Sequence, residues 1–229
     1  MNAQLVENMP YLATIPSCRL YLRQFGDPSG GTSFKDWSPV GGRTLTSSGA
    51  SNSTTQTKFT PASLYVNGSG YVRVPYQSDL ACASDFVIAF WVYPTAYGSP
   101  IGVFLATTGS PNYYFFYYPS YGLRIIINNV DSGYPGGAFN PNGGSIWQHY
   151  IITKIGATVT VYKNGTSVYS SGGVNNTSYT GDLIIGAYST STYYLTGYID
   201  EFCLFSSTYG VLPTAAQLWA VAQQRRLIV

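Results

Sequence analysis

WQHYIITKIGATVTVYKNGTSVYS, residues 147–170, holds two runs of β-branched and aromatic residues on either side of Asn164 and Gly165. Asn-Gly is the pair that most readily takes the positive φ angles of a two-residue hairpin turn. Before the turn, Val159 and Val161 alternate with polar and aromatic residues, which is the period of a strand with one face in a core. The stretch therefore predicts a β-hairpin packed against a second apolar layer.

The best candidate for that layer is DFVIAFWVYP, residues 85–94. One face of this predicted strand carries Phe86, Ile88, Phe90 and Val92, and the other carries Val87, Ala89, Trp91 and Tyr93. Both faces are apolar, so the strand is expected to be covered on both sides, in the middle of the fold.

Composition supports an all-β protein with a weakly charged surface. The 22 tyrosines, 25 glycines and 13 prolines suit short strands joined by tight turns. Charged residues make up 9% of the 229 residues and the net charge is +2, whereas about 25% is usual for charged residues. A surface with so little positive charge does not favour a nucleic acid as partner.

The rest of the chain predicts further strands and one helix. Residues 25–56 form an expected long loop with one weak strand near Thr44, anchored by Phe34, Trp37, Val40 and Leu45. Further strands are predicted at 18–23, 63–66, 71–74, 101–106, 113–118, 123–128, 182–188 and 195–205, with Asn67-Gly68 as the turn between the second and third. The helix is predicted at about 213–227, with Pro213 in its first turn and an apolar stripe of Ala216, Leu218, Trp219 and Ala222.

The predicted organisation is an N-terminal arm, residues 1–17, followed by a single domain, residues 18–229, that includes the helix. The N-terminus lacks the basic and apolar regions of a secretory signal, and no apolar run is long enough to span a bilayer. Cys18, Cys82 and Cys203 are odd in number and far apart. We expect buried free thiols in a protein made in a reducing cytoplasm, with one disulfide as the alternative.

Four stretches together resemble the laminin-G-like branch of the concanavalin A-like lectin and glucanase fold. They are SLYVNGSGYVRVP at 63–75, DFVIAFWVYP at 85–94, IWQHYIITKIGATVTVYKNGTSV at 146–168 and DLIIGAYSTSTYYLTGYIDEFCLF at 182–205. The segment 25–59 is similar to the opening of laminin-G-like proteins encoded by tailed phages. The resemblance implies a jelly-roll sandwich of two antiparallel sheets, a fold that by itself assigns no activity.

The carboxylates do not predict a hydrolase. Glycoside hydrolysis needs two carboxylates facing each other across a sugar, and the chain has two glutamates, Glu7 and Glu201, with no Glu-x-Asp-x-Glu run. Asp200 and Glu201 are adjacent, so on a regular strand they point to opposite faces. We therefore expect no catalytic residues and no enzyme activity.

Neither the single histidine nor the aspartates predict a metal site or cofactor. His149 has no second histidine beside it, and we expect it to be packed and hydrogen-bonded. Asp200 matches the Gly-x-Ile-Asp-Glu pattern of the family, whose relatives include calcium binders. For Asp200 a structural role, accepting backbone N–H bonds at a strand end, is preferred, and calcium is kept as the weaker alternative.

Tyrosines and the chain ends are the predicted contact residues. Aromatic rings stack on the apolar faces of sugars and also suit protein interfaces. The candidate tyrosines are Tyr97, Tyr113, Tyr114, Tyr117, Tyr118, Tyr121, Tyr134, Tyr193 and Tyr194. The N-terminal arm and the basic pair Arg225 and Arg226 are the predicted assembly contacts.

Taken together, the sequence predicts a virion structural protein of a tailed phage: a capsid decoration, fibre or tail subunit, made in the host cytoplasm and assembled with other virion proteins as a homo-oligomer. The alternative function is a glycan-binding adhesion module, whose partner would be a host surface polysaccharide. A glycoside hydrolase is the least favoured function. Neither a nucleic acid nor a membrane is an expected partner.

Overall fold

The computed structural model describes residues 12, 14–24, 29–59, 61–96, 101–106, 113–118, 122–127, 130–131, 145–175 and 180–224. Its strands are β1 Cys18–Leu22, β2 Thr46–Ser53, β3 Ser63–Val74, β4 Phe86–Pro94, β5 Ile101–Ala106, β6 Tyr113–Tyr118, β7 Gly122–Ile127, β8 Val130–Asp131, β9 Gln148–Ile155, β10 Thr158–Lys163, β11 Thr166–Ser171, β12 Leu183–Ile185 and β13 Thr196–Ser206. The helix α1 spans Ala215–Gln224. The predicted all-β class with one short helix is confirmed.

The strands are hydrogen-bonded in one continuous order, and this long sheet folds over so that its two halves pack as two layers. The order is β11-β10-β9-β4-β13-β3-β12-β5-β6-β7-β8, with β1 also paired to β13 and β2 to β3. Although β4 and β6 lie far apart in this order, Phe90 on β4 and Phe115 on β6 have ring centroids 5.1 Å apart. Phe86 and Tyr113 meet in the same way at 5.7 Å. The two halves of the path therefore face each other as the predicted jelly-roll sandwich.

The hairpin predicted at residues 147–170 is confirmed as β9, β10 and β11. Asn164 and Gly165 have φ angles of +48° and +83°, and Lys163 pairs with Thr166 across them. Val159 is 1% exposed and lies in the core between the layers. The positive φ angles explain why this turn needs Asn and Gly.

Strand β4 is covered on both sides along most of its length, as predicted. Its inner face lies in the core between the layers, where Phe90 is fully buried. Its outer face packs against α1 and the N-terminal segment, with Ala89 beside Leu218 and Leu12 in one apolar cluster. Near the end of the strand, Tyr93 on the outer face is only half-buried, which shows that the cover stops before it.

The two strands predicted on either side of Asn67 and Gly68 are instead one twelve-residue strand, β3. Its first half pairs with β13 and its last residues pair with β12, so β3 passes from one layer to the other. Beside the change of direction, Gly70 lies so close to Gly49 of β2 that a Cβ on Gly70 would be 2.3 Å from the Gly49 carbonyl carbon. The two glycines allow a bent strand where the sequence predicted a turn.

The loop before β2 is packed, but not by all the predicted anchors. Phe34 and Leu45 are buried, whereas Val40 is 40% exposed, so the prediction was wrong for Val40. The weak strand expected near Thr44 is β2, which begins at Thr46 and pairs with β3.

A buried ion-pair network holds this loop to the body of the fold. Arg43 pairs with Asp36 and with Asp79. Asp36 also accepts the backbone N–H of Tyr21 at 3.1 Å and that of Ser38 at 2.9 Å. Because the Arg43 side chain is 1% exposed, these partners compensate the desolvation of its charge.

Helix α1 begins two residues after the predicted start, because Thr214 caps it. The N–H of Gln217 donates to the Thr214 hydroxyl at 3.2 Å, and the N–H of Thr214 donates to the Gln217 side chain at 2.8 Å, which is a capping box. Leu218, Trp219 and Ala222 face the sheet as predicted. Ala216 is exposed, so the predicted stripe was wrong there, and residues 225–227 lie outside the described residues.

The described end of the N-terminal arm packs on this fold. Leu12 and Ile15 join the apolar cluster on the outer face of β4. Cys18, Cys82 and Cys203 are buried free thiols, as predicted. In the described part of the chain, α1 is too short and too polar to cross a membrane, and no other helix could do so.

Candidate functional site

Where the cover of the outer face ends, four aromatic side chains form a row that we call the aromatic strip: Tyr65, Tyr198, Tyr93 and Trp147. Successive ring centroids are 4.9, 5.9 and 5.4 Å apart. Tyr198 is 8% exposed and the other three are half-buried. Three of the four rings are therefore partly open to solvent, and the row continues across neighbouring strands.

The register of four strands positions the strip. Tyr198 on β13 lies opposite Tyr65 of β3 and opposite Tyr93 of β4, and continuing the β4–β9 register places Trp147 opposite Tyr93. Residues directly opposite each other have side chains on the same face. Gly197 lets the strands approach, because a Cβ there would lie 2.3 Å from the Tyr93 carbonyl oxygen.

Next to the strip lies a second set of rings, which we call the covered stack because two of its members, Trp91 and His149, are buried: Phe59, Trp91, His149 and Trp219. Trp91 is on the same face of β4 as Tyr93, two residues away, and is 5% exposed. The Nζ of Lys58 lies 3.9 Å from the centroid of the Trp91 ring. Lys58 therefore lies over the covered stack.

His149 is packed inside the covered stack, with 4% of its surface exposed. Burial, with a smaller contribution from the charge of Lys58, lowers the pKa of His149 to about 3. Its backbone N–H donates to the side-chain oxygen of Asn164 at 2.9 Å. Its Nδ1, however, has no hydrogen-bond partner among the described residues. The ring is packed as expected, but its bonding through Nδ1 is not seen.

A small cavity of about 20 Å³ lies between α1 and the sheet, lined by Trp91, His149, Glu201 and Leu218 among others. A space of this size holds about one water molecule. It is too small for a sugar ring.

Asp200 and Glu201 are both occupied by bonds within the protein. Asp200 accepts the backbone N–H of Phe59 at 3.1 Å and that of Glu201 at 2.9 Å, which is the bonding that a structural role requires. Glu201 accepts the hydroxyl of Tyr21 and pairs with Arg23 at 3.6 Å. The two carboxylates are 3% and 7% exposed, so neither faces an open groove.

The other carboxylates whose side chains are described lie in ion pairs: Asp36 and Asp79 with Arg43, Asp85 with Lys154, and Asp182 with Arg73. In the described part of the chain, no three His, Cys, Asp or Glu side chains gather closely enough to hold a metal ion. The geometry seen here supplies neither the facing acid pair of a glycosidase nor a cluster of calcium ligands around Asp200.

The tyrosines predicted as contact residues differ in burial and in position. Tyr113 is 2% exposed and packs on Phe86, so the prediction of a contact residue was wrong for Tyr113. Tyr193 is 40% exposed and lies edge-on to Tyr188 at 5.4 Å. Tyr194 is half-buried and donates its hydroxyl to the Thr190 carbonyl at 2.8 Å. They are on the turn after β12, not on the strip.

The remaining predicted residues cannot be placed in the site. Tyr114, Tyr117 and Tyr118 lie on β6 with side chains outside the description, and Tyr97, Tyr121, Tyr134, Arg225 and Arg226 lie outside the described residues.

The sequence prediction missed all four residues of the strip. Period-two alternation placed Tyr93 on the same face as Trp91, but that face was expected to be covered throughout. Tyr65 and Tyr198 each follow this alternation in their own strands, on the face opposite Leu64 and Ile199. The sequence does not show where along β4 the helix α1 stops covering the outer face, because that depends on where α1 docks.

A family model described as "Concanavalin A-like lectin/glucanases superfamily", of the Laminin_G_3 type, matches residues 66–210. This range includes Tyr198, Tyr93 and Trp147 of the strip. The comparison with curated proteins finds no match.

Solved structures with similar folds include domain 4 of AbnA, a GH43 extracellular arabinanase from Geobacillus stearothermophilus, in complex with arabinotriose. It has a TM-score of 0.65 and 17% identity over 90% of this chain and 98% of that chain. The binding domain of Paraclostridial Mosquitocidal Protein 1 has a TM-score of 0.65 and 14% identity, over 89% of this chain and 52% of that one. Trypanosoma rangeli sialidase matches with a TM-score of 0.64 and 13% identity over 96% of this chain and 37% of its own. At these identities the likeness shows a shared lectin-like jelly-roll fold, and the chain spans about half or less of the last two proteins.

Proposed function

Since the chain belongs to the concanavalin A-like lectin/glucanases superfamily, we propose that it is a non-catalytic carbohydrate-binding module that binds glycans on its aromatic strip. The observation that carries this proposal is the row Tyr65, Tyr198, Tyr93 and Trp147 with ring spacings of 4.9 to 5.9 Å. Such rings present apolar faces on which the C–H faces of sugars stack, and the tyrosine hydroxyls supply hydrogen bonds beside them.

Two further observations support binding without catalysis. Domain 4 of the arabinanase, which has this fold over nearly its whole length, was solved in complex with arabinotriose. In the present chain, Asp200 and Glu201 are buried and bonded to backbone, Tyr21 and Arg23, an arrangement that suits stabilisation of the fold better than proton transfer to a sugar.

A glycan array followed by calorimetry with the best ligand tests the proposal. The Tyr93→Ala variant is expected to weaken binding by roughly five- to 150-fold, the equivalent of the roughly 1–3 kcal/mol that stacking on an aromatic side chain contributes. Tyr193→Ala is the matched control, because Tyr193 is an exposed tyrosine away from the strip. An array without any bound glycan at high protein concentration, or a Tyr93→Ala variant with unchanged affinity, would contradict the proposal.

A second function, compatible with the first, is a structural role on the particle of a tailed phage. The similarity of residues 25–59 to phage-encoded laminin-G-like proteins favours it. Part of that segment is held to the fold by Arg43, Asp36 and Asp79. In this role the module would be a capsid decoration, fibre or tail subunit, made in the host cytoplasm, and would associate symmetrically with copies of itself and with other virion proteins.

Mass spectrometry of purified particles of the encoding phage tests the virion role. Hundreds of copies per particle are expected for a capsid decoration and a few copies for a tail subunit. Deletion of residues 1–11 and an Arg225→Ser/Arg226→Ser variant test the predicted assembly contacts. Absence of the protein from the particles would remove the virion role without affecting the glycan proposal.

A further inference from the structure

We propose that the aromatic strip binds one extended, linear glycan chain of about four sugars, which lies across the strands rather than along one of them. This inference rests on the proposed function, because it names the ligand class of the same surface. It is carried by the direction of the row of rings, by the two ends of the row and by the exposure of its members.

The rings of the strip continue across the strands but not along them. Tyr198 on β13 lies opposite Tyr65 of β3 on one side and opposite Tyr93 of β4 on the other. Along β4, the residues two positions from Tyr93 on the same face are Trp91, which is 5% exposed, and Thr95, which has no ring. A ligand that stacks on more than one open ring therefore has to cross the strands.

The neighbouring strands set both ends of the row among the described residues. Beyond Tyr65, the next strand is β2, where the residue opposite Tyr65 is Ser51. Beyond Trp147, β10 does not continue the row, because its last residue, Lys163, pairs with Tyr150 of β9. The row therefore spans three strand spacings, which is about 14 Å.

The spacing of the rings matches the repeat of an extended sugar chain. Pyranose rings in such a chain follow one another at about the distance between neighbouring strands, ~5 Å. Tyr93 and Trp147 have ring centroids 5.4 Å apart, so two neighbouring sugars can each contact one ring. The planes of these two rings differ by 54°, which a chain accommodates by rotation about its glycosidic bond.

The recessed ring in the row sets the number of sugars. Tyr65 lies two strands away from Tyr93, with the ring of Tyr198, which is 8% exposed, between them. A sugar above Tyr198 therefore bridges two open rings without a full stacking contact of its own. A chain that reaches from Trp147 to Tyr65 has about four sugars, one for each strand.

A row of polar side chains runs beside the strip. Thr196 of β13 lies opposite Asn67 of β3, and the N–H of Thr95 donates to the Thr196 carbonyl at 2.8 Å. Each of the three is two residues from a strip tyrosine in its own strand, on the same face. Asn67 and Thr95 are exposed, so their amide and hydroxyl groups can bond sugar hydroxyls along one side of the chain.

A single terminal sugar would need only one ring of the strip. Its affinity would be the same for a monosaccharide and for a longer oligomer, and substitution of one ring would account for the whole effect. A chain that crosses the strip instead gains contacts with each added sugar until the row ends.

The first test measures, by calorimetry, the affinity of the wild-type protein for oligomers of one to six sugars. The series are β-1,4-linked glucose, xylose and mannose, together with any other linear glycan that the array identifies. In at least one series, affinity is expected to rise up to about four sugars, by about tenfold or more in total, and then to level off. Maltose oligomers are the control ligands, because their α linkages curl the chain away from a straight row.

The second test truncates the two ends of the row. Tyr65→Ala and Trp147→Ala are each expected to weaken binding of the tetrasaccharide about fivefold or more. At least one of them should leave binding of the disaccharide unchanged, because a disaccharide reaches one end only. Tyr193→Ala is the control, and urea unfolding shows whether each variant is folded.

Three outcomes overturn this inference: affinity that does not change with length, an equal gain in the maltose series, and tetrasaccharide binding that depends on one end of the row only. Tyr93-dependent binding of a branched or terminal sugar on the array would still preserve the proposed function. A blank array overturns both.

Discussion

The indole ring of Trp219 on α1 lies directly on Gly165, the second residue of the turn between β10 and β11. A Cβ on Gly165 would be 2.3 Å from the Cδ1 of Trp219. Gly165 therefore meets two requirements: a φ angle of +83° for the turn and the absence of a side chain for the helix. The hairpin and the helix α1 pack directly on each other at this contact.

The first prediction concerns this contact. Gly165→Ala should lower the free energy of unfolding by about 2–4 kcal/mol, because a positive φ angle and the displacement of Trp219 both cost energy. Gly156→Ala, at φ +56° with no atom within 4 Å of the added Cβ, should lose only about 1–2 kcal/mol from backbone strain. Urea unfolding measures both. Equal losses would show that Trp219 does not press on the turn.

The second prediction concerns the buried ion pairs of the loop before β2. Arg43→Gln should lower the free energy of unfolding by about 3–5 kcal/mol, because it leaves the buried carboxylate of Asp36 without its charged partner, whereas Asp79 keeps its ion pair with Arg19 at 3.2 Å. Arg73→Gln is the control, since Arg73 is 52% exposed in its pair with Asp182 and should cost less than about 1 kcal/mol. A small loss in Arg43→Gln would contradict a stabilising network.

The third prediction concerns His149 and pH. The folded protein keeps this ring neutral down to about pH 3, whereas the unfolded chain takes up a proton near pH 6.5. The contribution of the neutral His149 ring to the free energy of unfolding is therefore complete above pH 6.5. It is lost as the pH falls toward 3, by about 2 kcal/mol between pH 6.5 and pH 5. In chemical unfolding, His149→Phe should show a shallower fall over that window. The same pH slope in both proteins would argue against a neutral buried ring.

The fourth prediction concerns the thiols. Burial raises the pKa of Cys18 to about 12 and also raises the pKa of Cys82, so thiolate is scarce at neutral pH. A thiol reagent such as Ellman's should react slowly with the folded protein and should count three thiols after unfolding without reductant. A count of one in the unfolded protein would reveal the disulfide that the sequence left open.

The sequence predicted the parts of the fold that depend on local patterns. The turn at Asn164 and Gly165 and the strand around Phe90 were found because turn chemistry and period-two alternation are properties of neighbouring residues. The single long strand β3 was missed because its continuity depends on the approach of Gly49 to Gly70, two residues from different strands. The start of α1 was predicted two residues too early. Thr214 caps the helix, and this cap decides the start rather than the preference of Pro213 for the first turn.

The candidate site was harder to predict than the fold. The sequence shows which residues share a face, but Tyr93 and Trp91 differ only in whether other elements cover them. That difference depends on Lys58, Phe59 and α1, which come from distant parts of the chain. Tyr113 was selected for its type, and its burial follows from the packing of the two layers.

The position of β13 in the fold affects the order in which the protein can form. β13 pairs with β1, β3 and β4, yet it is the last strand of the described chain to be synthesised. Until residues 196–206 have left the ribosome, the earlier strands expose unpaired edges, a state that favours aggregation. A chain cut short before residue 196 would therefore be a target for chaperones and proteases, and mature protein would accumulate only after translation is complete.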